Sequence, residues 1–201
     1  MKKILPAFSY IFHPLFISVY AILIFFFFGI SFFEYSDIYL IIIQIIIITV
    51  FIPVTFYYLL LSMGKVDSIM LAETAQRRIP LMIHAVLLSI LIQKSITIHV
   101  SPELYFFFLG SLISTILALL LAYVDVKASL HMVGITALTV FTIGISLHFE
   151  KRMILIIVPL LLSCGFVASS RLEMKAHSLR ELFLGSCIGI LPQAGLLYFW
   201  L

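Results

Sequence analysis

Apolar residues run along this chain in long, nearly unbroken blocks, and polar residues collect in short connections between them. The blocks fall at about 9–33, 39–63, 80–98, 104–124, 132–149, 153–169 and 183–201, and most reach or approach the roughly 18 apolar residues that mark a bilayer span. Runs such as Phe25-Phe26-Phe27-Phe28 and Ile41-Ile42-Ile43 lack the alternation of a membrane-spanning strand. An open strand edge cannot be satisfied in lipid either, so the blocks predict helices. The expectation is an all-α, polytopic transmembrane helical bundle of six to seven spans, with residues 1–201 forming one integral membrane domain.

Composition agrees with that solvent. Hydrophobic residues make up 64% of the 201 positions and charged residues 10%, with a mean hydropathy of +1.27, far from the average of a soluble domain. The start, Met1-Lys2-Lys3 and then an apolar stretch, has the outline of a signal peptide. The run continues past about twenty residues without a small-residue cleavage site, so it is expected to stay as the first span. Cys164 and Cys187 lie inside apolar blocks with no Cys-x-x-Cys spacing, which points to neither a metal site nor a disulfide framework. The formal net charge of +3 is spread over the connections without a basic block, and nucleic acid is excluded as a partner.

Three connections hold most of the polar chemistry: 64–80, 125–131 and 170–181. Each follows an even-numbered block, so parity puts them on one membrane face, the face of the N-terminus. That face carries Lys2, Lys3, Lys65, Arg77, Arg78, Lys127, Arg171, Lys175 and Arg180, against Lys94, Lys151 and Arg152 opposite, an excess that favours the cytoplasm. Setting aside Arg77, Arg78, Lys127 and Arg171 as site residues leaves five against three, and the face stays undecided.

In the first connection Arg77 and Arg78 stand just ahead of Pro80, where guanidinium groups can hold a phosphate at a membrane mouth or simply anchor the span. In the second, Lys127 and His131 form an i, i+4 pair if the helix begins early, and Ser129 is a plausible helix cap. In the third, Ser170 to Glu181, a helix would put Ser170, His177 and Glu181 on one face, with Arg171 nearby. An imidazole held by a carboxylate can attack phosphorus; the same stretch can also be an ordinary solvated turn. His84, Gln93, Lys94 and His13 lie inside spans and are expected to serve helix–helix contacts, as are Gly185 and Gly189.

Ser170-Arg171, five residues, His177, three residues and Glu181 resembles the third signature of the phosphatidic acid phosphatase type 2 superfamily. Lys127-Ala128-Ser129-Leu130-His131 resembles that family's Pro-Ser-Gly-His, with the serine and histidine kept. Arg77 or Arg78 with Pro80 resembles its Lys-x6-Arg-Pro, although Met70 or Leu71 stands where the lysine belongs and Lys127 or Lys65 would have to replace it. The resemblance covers roughly residues 65–190. With His13-Pro14-Leu15, the pattern is similar to a divergent membrane branch associated with Bacteroidetes-type bacteria.

The resemblance implies a lipid phosphatase of the bacterial inner membrane acting on a polyprenyl diphosphate or a phosphatidate-type lipid, without metal or other cofactor. His177 would be the nucleophile, Glu181 its orienting carboxylate and His131 the general acid. Arg171, Arg77, Arg78 and Lys127 would neutralise phosphoryl oxygens, with Ser129 and Ser170 as further donors. Two rivals stand beside it: a phosphate-lipid binding or transport protein without activity, and a structural membrane protein whose charged loops only set topology.

Overall fold

The computed structural model describes residues 5–29, 33–66 and 73–201. Among these there is no β-strand, as the unbroken apolar blocks predict. Helices α1 (Leu5–Ile11) and α2 (Pro14–Phe28) precede α3 (Tyr35–Ile46), which passes through one π-helical turn (Ile47–Phe51) into α4 (Ile52–Ser62). A 3-10 turn (Ala75–Arg77) opens α5 (Arg78–Lys94), and α6 (Pro102–Tyr123), α7 (Leu130–His148), α8 (Ile154–Glu173) and α9 (Leu179–Leu197) follow.

Five of these stretches are long and apolar enough to cross a membrane: Tyr35–Ser62, Ala75–Lys94, α6, α7 and α8. The pair α1–α2 makes a sixth if it counts as one span. Helix α9 has the length, at 19 residues, but Arg180, Glu181 and Gln193 dilute its apolar character, and it is not among them.

The first block departs from the expected single helix: α1 and α2 are bent by 67°. Pro14 causes the break, because its ring disfavours helical geometry at the residue before it, and His13 is accordingly extended (φ −64°, ψ 138°). The His13 Nδ1 then accepts the Leu15 N–H at 3.4 Å and caps α2. The Tyr20 hydroxyl donates to the carbonyl of Ile11 at 2.8 Å and straps the two pieces together.

Helix α7 is the centre of the bundle. It packs against α2, α6, α8 and α9, and 56% of its membrane-length window is buried, against 11% for Tyr35–Ser62 at the periphery. Ile135, Leu138 and Phe141 of α7 are fully buried with Phe107 and Phe108 of α6 and Ile22 of α2. Apolar burial between helices is not itself a driving force in lipid, so close packing decides which helices adhere. The Gly185–Gly189 spacing supplies it within the chain. A Cβ at Gly185 would meet the Ser129 carbonyl oxygen at 2.5 Å, and one at Gly189 would meet the Val133 carbonyl and Thr136 Oγ1.

Gly189→Val is therefore expected to lower stability by about 1–3 kcal/mol, since its obstacle is partly backbone and cannot rotate away. Gly165→Ala, in α8 with open space around its would-be Cβ, is expected to leave stability unchanged or slightly raised. Thermal unfolding of both variants in detergent checks the pair.

Candidate functional site

The three polar connections meet at one end of the bundle through hydrogen bonds to backbone. Arg77 Nη1 donates to the Ala128 carbonyl at 2.9 Å, and Lys127 Nζ donates to the Ala176 carbonyl at 3.0 Å. The Ser129 N–H donates to the Glu181 carbonyl at 3.1 Å and joins the start of α7 to the start of α9. Ser129 is the N-cap of α7, as its position predicts, and its hydroxyl accepts the Met132 N–H at 3.5 Å. The helix begins at Leu130, however, so Lys127 lies before it and is not the i, i+4 partner of His131.

The stretch 170–181 is not one helix either. Helix α8 ends at Glu173, Lys175 takes a left-handed conformation (φ 51°), and α9 starts after Ser178. Ser170 and His177 therefore do not share a helix face. His177 and Glu181 meet all the same, by a route that sequence spacing can reveal: Ser178-x-x-Glu181 is a capping box. The Ser178 hydroxyl accepts the Glu181 N–H at 3.4 Å, and Glu181 Oε2 accepts the Ser178 N–H at 3.3 Å. The same Oε2 accepts a hydrogen bond from His177 Nδ1 at 2.7 Å. With the proton on Nδ1, the lone pair of His177 Nε2 is free.

Arg171 and Ser170, on the last turn of α8, are 4% and 0% exposed. Among the described residues the Arg171 Nε has no hydrogen-bond partner, and Nη1 reaches only the thioether of Met174, at 3.9 Å. Buried polar groups are normally satisfied, and this one carries a full charge. Helix α1 closes the remaining side. Ser9 Oγ lies 2.6 Å from Ser170 Oγ, and the Ser9 carbonyl accepts from His131 Nε2 at 3.1 Å. His13 stands edge-on to His131 with ring centroids 5.3 Å apart, and Arg171 is near enough for its charge to act on His13, His131 and His177. Nothing local in the sequence announces Ser9, because its partners lie 122 and 161 residues away.

The structure thus brings His177, Glu181, His131, Arg171, Arg77, Lys127, Ser129 and Ser170 together. Arg78 is turned away: it pairs with Asp125 at 2.9 Å, donates from Nε to the Ala122 carbonyl at 3.0 Å and lies over the Tyr123 ring. Of the two lysines that might replace the absent motif lysine, Lys127 is at the site and Lys65 is exposed in the turn after α4. Met70 and Leu71, like Lys2 and Lys3, lie outside the described residues. Among the described residues no group of His, Cys, Asp and Glu has a metal-holding arrangement.

The electrostatics favour a neutral His177 imidazole among cationic neighbours. Burial is the largest influence on His177 and lowers its pKa from 6.5 to about 4; the Glu181 carboxylate pulls upward, and Arg77, Lys127 and Arg171 add to the lowering. Burial likewise lowers Lys127, helped by Arg77 and Arg171 and opposed by Glu181 and Glu73. The N-termini of α7 and α9 add the positive ends of two helix dipoles.

Comparisons of the chain with protein-family models, curated proteins and solved structures return no match.

Because His177 binds its proton less readily in the folded than in the unfolded chain, its contribution to stability is present above pH 6.5 and is lost as pH falls from 6.5 to about 4. Thermal unfolding across that range is expected to show a smaller acid-side loss in His177→Gln than in the wild type. An equal loss in both would mean that His177 is not held neutral.

Proposed function

We propose that this chain is a multi-pass membrane enzyme that hydrolyses a phosphate monoester or diphosphate of a lipid through a phosphohistidine on His177. One observation carries the reading: the Arg171 guanidinium, 4% exposed and lacking a partner at Nε among the described residues, sits near Arg77, Lys127 and the His177 imidazole that Glu181 holds at Nδ1. A buried cation without a counter-charge costs several kcal/mol, and a tetrahedral oxyanion placed there would remove that cost. The arrangement agrees with the resemblance of the three motifs to the phosphatidic acid phosphatase type 2 superfamily, and Lys127 stands in for the missing motif lysine.

The mechanism follows from the hydrogen bonds. His177 Nε2 attacks phosphorus and the bond from phosphorus to the leaving oxygen breaks. That oxygen leaves with a proton that His131 takes up at Nδ1 once the anionic substrate is bound, its Nε2–H staying on the Ser9 carbonyl. The Glu181 carboxylate holds the His177 proton on Nδ1 and balances the charge of the phosphoimidazole. A water then attacks phosphorus, returns a proton to His131 and releases phosphate as the P–N bond breaks. Arg171, Arg77 and Lys127 stabilise the charge on the non-bridging oxygens throughout.

We place the enzyme in a bacterial inner membrane, with α9 as a seventh crossing and the site on the same face as the N-terminus. A second reading, phosphate-lipid binding without turnover, is favoured by the Ser9 contact that occupies one nitrogen of His131.

Phosphate release from long-chain lipid phosphates and diphosphates in detergent separates the two. Wild type is expected to release phosphate, His177→Ala none, and His131→Ala about 10²–10⁴-fold less, while Arg78→Ala stays near wild type. Release that survives in His177→Ala would overturn the phosphohistidine mechanism; no release by wild type leaves the binding reading.

A further inference from the structure

Two glutamines at membrane depth meet opposite circumstances in this bundle. Gln193 of α9 is buried, and its Nε2 donates to the Phe107 carbonyl of α6 at 2.9 Å, a bond from helix to helix. Gln44 of α3 is exposed on the outward face of Tyr35–Ser62, the least buried of the five crossings. Among the described residues its carboxamide makes no hydrogen bond. Three hydroxyls of the same span satisfy themselves instead. Thr49, Thr55 and Ser62 donate to the carbonyls of Ile45, Phe51 and Leu59 at 2.8, 2.9 and 2.8 Å, each folding back on its own helix.

The depth of Gln44 excludes water as its partner. Tyr35 and Tyr39 at one end of the span and Tyr57 and Tyr58 at the other are placed like the two aromatic belts of a bilayer. From Tyr39 to Tyr57 a helix rises about 27 Å, close to the roughly 30 Å of the hydrocarbon layer. Gln44, five residues in from Tyr39, lies about 7–8 Å inside that layer. An amide left without a partner there is costly.

Symmetry identifies the partner. Two copies inserted the same way round are related by a rotation about the membrane normal, which keeps each residue at the depth of its counterpart. Where the outward face of this span lines the axis, Gln44 meets Gln44 of the second copy, and a carboxamide, donor and acceptor at once, is complementary to itself. A different membrane protein would need a polar group of its own at this depth. Leu40, Ile47 and Phe51 are exposed beside Gln44 at three- and four-residue intervals, the spacing of a two-helix seam. Asp37, two turns toward the surface, is exposed near the water boundary, where its charge is screened.

We propose that two copies of this chain pair through the outward face of Tyr35–Ser62, with the Gln44 carboxamides hydrogen-bonded to each other inside the bilayer. The pairing uses neither Arg171 nor His177, so it stands or falls apart from the proposed hydrolysis.

The experiment is disulfide trapping of the full chain in phosphatidylethanolamine–phosphatidylglycerol vesicles, in a background carrying Cys164→Ala and Cys187→Ala. Leu40→Cys and Ile47→Cys are expected to give a crosslinked dimer on mild oxidation, and Leu155→Cys, exposed on α8, is not. Gln44→Met keeps the side-chain length and removes the amide. Added to Leu40→Cys at high lipid dilution, it is expected to lower the crosslinked fraction about fivefold or more, as is Gln44→Leu, while Gln44→Asn keeps most of it. Both apolar variants are expected to unfold at the wild-type temperature in detergent, because the amide touches nothing within one chain. Absence of trapping at positions 40 and 47, equal trapping at position 155, or trapping unchanged by Gln44→Met and Gln44→Leu overturns the pairing.

Discussion

A guanidinium buried at the end of an apolar bundle is the constraint to which the rest of this structure answers. Arg171 is 96% removed from solvent on the last turn of α8 and among the described residues meets no carboxylate, although acids are available. Asp125 is spent on Arg78 at the surface, and Glu181 holds His177 and the Ser178 backbone. Charges this deep are rare and are normally paired. The fold instead surrounds Arg171 with hydroxyls, imidazoles and further cations, an environment that is unfavourable empty and favourable around an anion.

Much of the architecture is legible in the sequence because bilayer physics leaves few choices. The apolar blocks become helices since no other open structure satisfies the backbone in lipid, and Gly185 and Gly189 mark the seam of α9 with α7. The departures are local. One proline turned the first block into two helices, and a single left-handed residue, Lys175, ended the helix expected through 170–181. Most of the site residues were legible as residue types in three connections. Their mutual geometry was not, because it depends on backbone carbonyls of Ala128, Ala176 and Ser9, which carry no sequence signal. Arg77 and Arg78 show the limit best: neighbours in sequence, they point about one residue's rotation apart around the helix, one inward and one to Asp125.

Glu181 does two jobs with one oxygen. Its Oε2 completes the cap of α9 and fixes the proton of His177, so the start of a helix and the orientation of an imidazole are the same structural event. A shorter acid at this position would have to give up one partner or draw the chain inward. Glutamate at the third helical position, the usual residue of a capping box, fits both demands without a shift.

The bond between Ser9 and Ser170 joins residues 161 positions apart, and that separation carries a meaning in time. A ribosome makes α1 before α7 and α8, so neither contact of Ser9 can form until its later partner has been made. A chain that stops before Ser170 therefore lacks the buried hydroxyl partner of Ser9 and the buried Arg171 guanidinium as well.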